Sequence, residues 1–318
     1  MWPPNARRHH NVPVLHLDSD WIWDFWFADD GERFHVFYLK APRSLNDPDL
    51  RHWHTTVGHA TSADLTEWTV LTDALAPSVD PAFDDYTTWT GSVVRGDDGT
   101  WFMFYTGTSH AEDGRRQRIG HATSDDLTSW RKQGVVLESD PRWYEQMADN
   151  GWDGADHWRD PWVFRDPAGD GWHMLVTARA NTGEFDDRGV VGHARSTDLR
   201  TWHAHPPLSQ PGAGFAHLEV IQTEQVDGRT LLLFSCLPSE YSAARRSTNV
   251  RSGTWRLWSA SPAGPFDIAA AEQITDTTLY VGKAVRDRQG AWRLIAFHNE
   301  AADGRFVGEL SDPMDLRL

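Results

Sequence analysis

Short apolar runs, each opened by a turn glycine, recur along the chain: Gly31-Glu-Arg-Phe-His-Val-Phe-Tyr38, Gly99-Thr-Trp-Phe-Met-Phe-Tyr105, Gly171-Trp-His-Met-Leu-Val176, Gly228-Arg-Thr-Leu-Leu-Leu-Phe234 and Gly290-Ala-Trp-Arg-Leu-Ile-Ala-Phe297. A glycine turn followed by aromatic and branched residues marks a hairpin entering a buried strand. A second element follows three of these runs: Gly58-His-Ala-Thr-Ser-Ala-Asp-Leu-Thr-Glu-Trp68, Gly120-His-Ala-Thr-Ser-Asp-Asp-Leu-Thr-Ser-Trp130 and Gly192-His-Ala-Arg-Ser-Thr-Asp-Leu-Arg-Thr-Trp202. Weaker copies start at Leu257 and Val307. Each of the five units reads strand, tight turn, strand, connection, strand and a turn into an outer strand. No stretch of helical period competes. Repetition of this kind predicts an all-β fold, a five-bladed β-propeller with four antiparallel strands per blade, and a single domain over residues 1–318.

Residues repeated in every blade serve every blade alike, so the Ser-x-Asp-Leu-x-x-Trp copies read as turn and core structure. Chemistry is expected where the repeats differ. The first strand of a unit lies innermost in a propeller, and the five candidates are 21–26, 89–94, 158–163, 217–222 and 280–285. Each lodges a polar residue in an apolar run. Asp24, Ser92 and Lys283 stand seven residues before the turn glycine, and Asp160 and Glu219 stand slightly further from theirs. Equivalent positions on radial strands converge, so two aspartates and a glutamate are predicted to meet at the axis. Burying one unpaired carboxylate costs several kcal/mol, which makes three together a functional signal. Two carboxyls in a channel lined by Trp and Tyr suit glycoside cleavage, one to protonate the leaving oxygen and one to attack or to activate water.

Composition narrows the partner. A formal net charge of −16 argues against nucleic acid, which needs clustered Lys and Arg. No apolar stretch approaches a membrane span, so no membrane partner is expected. Met1 to Pro13 carries no signal-peptide core, and Cys236, the single cysteine, suits a reducing compartment, so the expected location is cytoplasmic. The 16 histidines show no ligand spacing. His59, His121 and His193 read as strand structure, and neither a metal nor another cofactor is expected. A small saccharide is the expected partner, and oligomeric state is left open. The 18 tryptophans serve cores and sugar faces equally well.

At the inner strands the sequence resembles the clan of glycoside hydrolase families 32 and 68, the invertases, fructanases and levansucrases. Trp-Thr-Gly-Ser-Val (89–93) is similar to their Trp/Phe-Ser-Gly-Ser-Ala motif. Trp-Arg-Asp-Pro (158–161) is similar to their Arg-Asp-Pro motif, and Trp-Ile-Trp-Asp-Phe-Trp (21–26) resembles the family 68 nucleophile strand. The resemblance implies Asp24 as nucleophile, Asp160 as transition-state stabiliser and Glu219 as acid/base, with Glu224 the alternative because the residues after Glu219 depart from the family pattern. It further implies a retaining reaction on β-fructofuranosides, sucrose-like saccharides or fructooligosaccharides, through a covalent fructosyl-enzyme with water or a sugar as acceptor. Substrate contacts are expected from Trp23, Trp89, Thr90, Ser92, Trp158, Arg159, Tyr280 and Lys283. The segment Glu138 to His157 is expected to arch over the pocket mouth. The resemblance runs from Trp21 to Leu316, so no C-terminal β-sandwich is expected. Two other readings stay open: an inverting pentofuranosidase of the family 43 type, and a sugar-binding propeller without catalysis.

Overall fold

Twenty strands form five four-stranded antiparallel sheets in the computed structural model, which describes residues 15–149, 152–248 and 251–316. The leader reading of Met1 to Pro13 falls outside the described residues. Blade 1 holds β1 (Asp20–Asp29), β2 (Phe34–Pro42), β3 (Thr56–Ser62) and β4 (Thr69–Val70). Blade 2 holds β5 (Thr87–Arg95), β6 (Trp101–Thr108), β7 (Arg118–Ser124) and β8 (Arg131–Leu137). Blade 3 holds β9 (Trp158–Arg165), β10 (Trp172–Arg179), β11 (Gly189–Ser196) and β12 (His203–His205). Blade 4 holds β13 (Glu219–Val226), β14 (Arg229–Cys236), β15 (Gly253–Ser259) and β16 (Glu272–Gln273). Blade 5 holds β17 (Leu279–Arg286), β18 (Trp292–Glu300), β19 (Phe306–Leu310) and β20 (Met314–Asp315), the last pairing with β18. The five-bladed expectation therefore holds. The ring closes where Leu310 N donates to Leu15 O at 3.0 Å, so the segment before β1 joins the last blade.

The repeated turns are structural. In the first copy Ser62 Oγ accepts from the Asp64 and Leu65 amides, and Asp64 Oδ1 accepts from Thr66 and Glu67. Ser196 and Asp198 repeat the pattern in blade 3. The turn forces Leu65, Leu127 and Leu199 to φ of 70°, 64° and 63°, a left-handed conformation unfavourable for leucine. All three side chains are buried, which contributes about 1.5–3 kcal/mol each and offsets the strain. Trp130 of blade 2 packs edge-on against Phe37 of blade 1 at 5.7 Å, and Trp202 of blade 3 does the same to Phe104 of blade 2 at 5.3 Å. These tryptophans tie neighbouring blades together. The repeated histidines are core parts too: His59 lies 2.9 Å from His35 and His193 2.9 Å from His173, ring nitrogen to ring nitrogen. Burial pushes His59 and His193 down to about 3 and His121 to about 4, so all three stay neutral.

Counting back from the turn glycine does not measure depth along the channel, because the hairpin loops differ in length. The last paired residues are Asp29 with Phe34, Arg95 with Trp101, Arg165 with Trp172 and Arg286 with Trp292. Measured from those pairs, Asp24 is level with Thr90, Asp160 and Val281. Ser92 and Lys283 lie two residues further along their strands.

Candidate active site

Every inner strand breaks register near one depth. The breaks fall between Ile22 and Phe25, between Trp89 and Gly91, at Asp160 and Pro161 opposite Val176, between Glu219 and Gln222, and between Tyr280 and Lys283. A bulge inserts an unpaired residue and re-aims its neighbours. Asp160, Val220 and Val281 sit in these bulges at φ of 56°, 52° and 51°. For non-glycine residues this costs of order 1–3 kcal/mol each, and valine is especially ill-suited. Arg159, Glu219 and Tyr280 directly precede them and all line the pocket. Backbone strain is thus spent on aiming three polar side chains at one space.

Hydroxyls on the second strands hold the bulges from the adjacent blade. Thr106 Oγ1 accepts from Asp160 N at 3.0 Å, and Ser235 Oγ accepts from Val281 N at 3.1 Å. Thr177 Oγ1 lies 2.9 Å from both Asp160 Oδ2 and the Leu218 carbonyl, its one proton shared between them. Such partners satisfy backbone groups that a bulge removes from the ladder.

The resulting cavity measures about 620 Å³ and is lined by Asp24, Asp160 and Glu219 from three different blades. Asp24 Oδ2 accepts from Thr90 Oγ1 at 2.5 Å. Burial, then the nearby Asp160 carboxylate, pushes the Asp24 carboxyl up to about 7. Asp160 is 4% exposed, and its Oδ2 accepts from Val220 N at 3.3 Å with Arg159 Nε at 3.5 Å. Burial raises it, and Arg159 opposes the rise. Glu219 Oε1 accepts from Arg159 Nη2 at 2.6 Å and Oε2 from the Tyr280 hydroxyl at 2.6 Å. Burial and then the Glu240 carboxylate raise its pKa, against the pull of Arg159 and Tyr280.

Trp23, Trp89, Thr90, Arg159 and Tyr280 line the cavity as expected, and so do Asp153, Ala155 and His157 of the segment predicted to arch over the mouth. Residues 150 and 151 of that segment lie outside the described set. Ser92, Trp158 and Lys283 do not line this cavity. Ser92 is buried between blades, where its Oγ accepts from Val163 N at 3.1 Å. Trp158 is fully buried against Tyr144 with ring centres 4.7 Å apart, on the strand face opposite the neighbouring Arg159. Lys283 lines a separate cavity of about 210 Å³, together with Glu224. Glu224 therefore stands apart from Asp24 and Asp160, and burial alone lifts it to about 7.

Sequence reasoning missed Arg51, His217 and Glu240. Arg51 and Glu240 come from connections, where no strand period marks them, and His217, at the head of the predicted 217–222 strand, lies just ahead of β13, which starts at Glu219. Arg51 lies over the Trp23 and Phe306 rings at 5.6 and 4.1 Å. Glu240 ends the Pro238–Glu240 turn, its Oε2 accepting from Leu237 N at 3.0 Å and its Oε1 lying 3.4 Å from His217 Nδ1. Burial holds His157 and His217 well below the usual imidazole range, so both are neutral. His217, Glu219 and Glu240 bring potential metal-ligating atoms within 4.8 Å of one another. Arg159 Nη2 already lies on Glu219 and 3.3 Å from His217 Nδ1, so a guanidinium stands where a cation would.

The family model for the "Glycosyl hydrolases family 32 N-terminal domain" matches residues 27–301. Raffinose invertase of Escherichia coli is 31% identical over 226 residues, a match covering 67% of this chain and 41% of that protein. Sucrose-6-phosphate hydrolase of Bacillus subtilis is 31% identical over 217 residues, covering 68% and 39%. The chain thus spans about two fifths of the length of these relatives. Inulosucrase from Halalkalicoccus jeotgali, solved bound to kestose, superposes with a TM-score of 0.74 at 22% identity, covering 95% of this chain and 83% of that one. The β-fructofuranosidase catalytic domain of Microbacterium saccharophilum K-1 gives a TM-score of 0.72 at 16% identity, covering 98% and 81%. At these identities the structural likeness speaks for the fold.

Proposed function

Since the chain belongs to the glycosyl hydrolases of family 32, we propose that its pocket cleaves or transfers the β-fructofuranosyl unit of sucrose-like saccharides with retention of configuration. The observation that carries this reading is the convergence of Asp24, Asp160 and Glu219 on one cavity, with Arg159 between the last two. Asp24 in its ionised form, which the Thr90 hydroxyl favours against burial and Asp160, attacks the anomeric carbon. Glu219 gives its proton to the departing glycosidic oxygen. Arg159 binds sugar hydroxyls, which draws its charge away from Glu219 and lets burial and Glu240 keep the proton there. Asp160 balances the positive charge that develops at the anomeric centre. Glu219 then takes a proton from water or a sugar hydroxyl, and that oxygen displaces Asp24.

The whole chain acts as one propeller unit in this reading, and the buried free thiol of Cys236 favours a reducing compartment such as the cytoplasm. No described helix is long and apolar enough to cross a membrane. The test is incubation with sucrose, raffinose and kestose in the presence of methanol. Release of glucose, galactosyl-glucose or sucrose respectively, with methyl β-fructofuranoside as the transfer product, is the expected outcome. An α-configured product points to the inverting alternative. Binding without release points to a sugar-binding propeller.

A further inference from the structure

We infer that Lys283 is a positioning residue that grips the Glu219 strand from behind the pocket. The inference rests on the hydrolase reading above. Lys283 is 2% exposed and lies three residues past Tyr280 on β17. Its Nζ donates to the Val220 carbonyl at 3.1 Å and reaches the Ile221 carbonyl at 3.5 Å. Both carbonyls belong to the β13 bulge. That bulge turns Glu219 toward the pocket and sends Val220 N to Asp160 Oδ2. One ammonium of blade 5 therefore holds the stretch of backbone on which two of the three carboxyls depend.

Two further features require such a clamp. Val220 is held at φ 52°, a conformation that a β-branched residue leaves unless its surroundings over-determine it. Behind the bulge lies the cavity of about 210 Å³, lined by Trp26, Trp162, Gln222, Glu224 and Trp292, so packed atoms do not fill the space into which it would relax. Lys283 forms no ion pair among the described residues, and it sits 5.3 Å from the centre of the Trp162 ring. The charges that act on it are Asp160 and Asp24 on the pocket side and Glu224 on the other. Burial lowers its pKa to about 8, which leaves it charged at neutral pH.

The experiment compares wild type with Lys283→Met and Lys283→Arg on sucrose. It also follows the Asp24 carboxyl by ¹³C NMR titration, assigned with Asp24→Asn. Methionine should lower kcat about tenfold or more while KM stays within about threefold, and arginine, which can still donate to both carbonyls, should recover much of the loss. Loss of the ammonium should also move the Asp24 titration to higher pH. Unchanged kcat and an unchanged titration in Lys283→Met overturn the inference. If wild type cleaves no fructoside, the hydrolase reading fails and the titration alone decides on Lys283. Should Lys283→Met not fold, Lys283→Gln takes its place in both measurements; if that also fails to fold, Lys283 is a folding determinant only and the inference is wrong.

Discussion

Tyr280 and Glu219 meet across the seam between blades 5 and 4, the phenol donating to Oε2 at 2.6 Å. A donor on a carboxylate favours its charged form, so this contact works against the burial and the Glu240 charge that raise Glu219. Tyr280→Phe removes the donor. Glu219 should then keep its proton to higher pH, and the alkaline limb of the kcat/KM profile on sucrose should move upward. A limb that stays in place means that Glu219 is not the acid it reports.

Asp24→Asn should abolish turnover and, at the same time, stabilise the fold. The Asp24 carboxyl titrates at about 7 in the native state, above its ordinary value of 3.8. Between those pH values the unfolded chain is ionised while the native state holds the proton, so stability falls as pH rises through the window and the full penalty applies above it. The gain in melting temperature from asparagine should therefore grow between about pH 4 and about pH 7 and level off above that. A gain independent of pH, measured by calorimetry, contradicts the burial of that charge.

Asp160 occupies a left-handed backbone position, φ 56°, which asparagine tolerates and alanine does not. Asp160→Asn should fold normally and lose on the order of a hundredfold in kcat with KM nearly unchanged, as for a contact made mainly in the transition state. Asp160→Ala should show the same kinetic loss plus a lower melting temperature. An effect confined to KM in the asparagine variant rules out the stabilising role.

Glu219→Ala should leave fructosylation by substrates with activated leaving groups largely intact, and azide should rescue turnover with formation of a β-fructosyl azide. Glu224→Ala should cleave sucrose at close to the wild-type rate with no azide rescue, because Glu224 lines the cavity that holds Lys283, away from Asp24. The reverse result would transfer the acid/base role to Glu224.

The sequence by itself determined the number of blades, the order of strands and the identity of the inner strands, since hairpin glycines and apolar runs act locally and repeat. It also singled out Asp24, Asp160 and Glu219, because a carboxylate in an apolar inner strand stands out in one dimension. The tertiary structure decided depth and direction. Hairpin loops of unequal length put Ser92 and Lys283 beyond the pocket, and the alternation of β9 buries Trp158 while Arg159 lines the pocket. Arg51 and Glu240 reach the site from connections whose course no strand period dictates. Bulges and loop paths are set by contacts between blades, such as Thr106 on Asp160 and Lys283 on Val220, which join residues far apart in the chain and leave no mark on its local pattern.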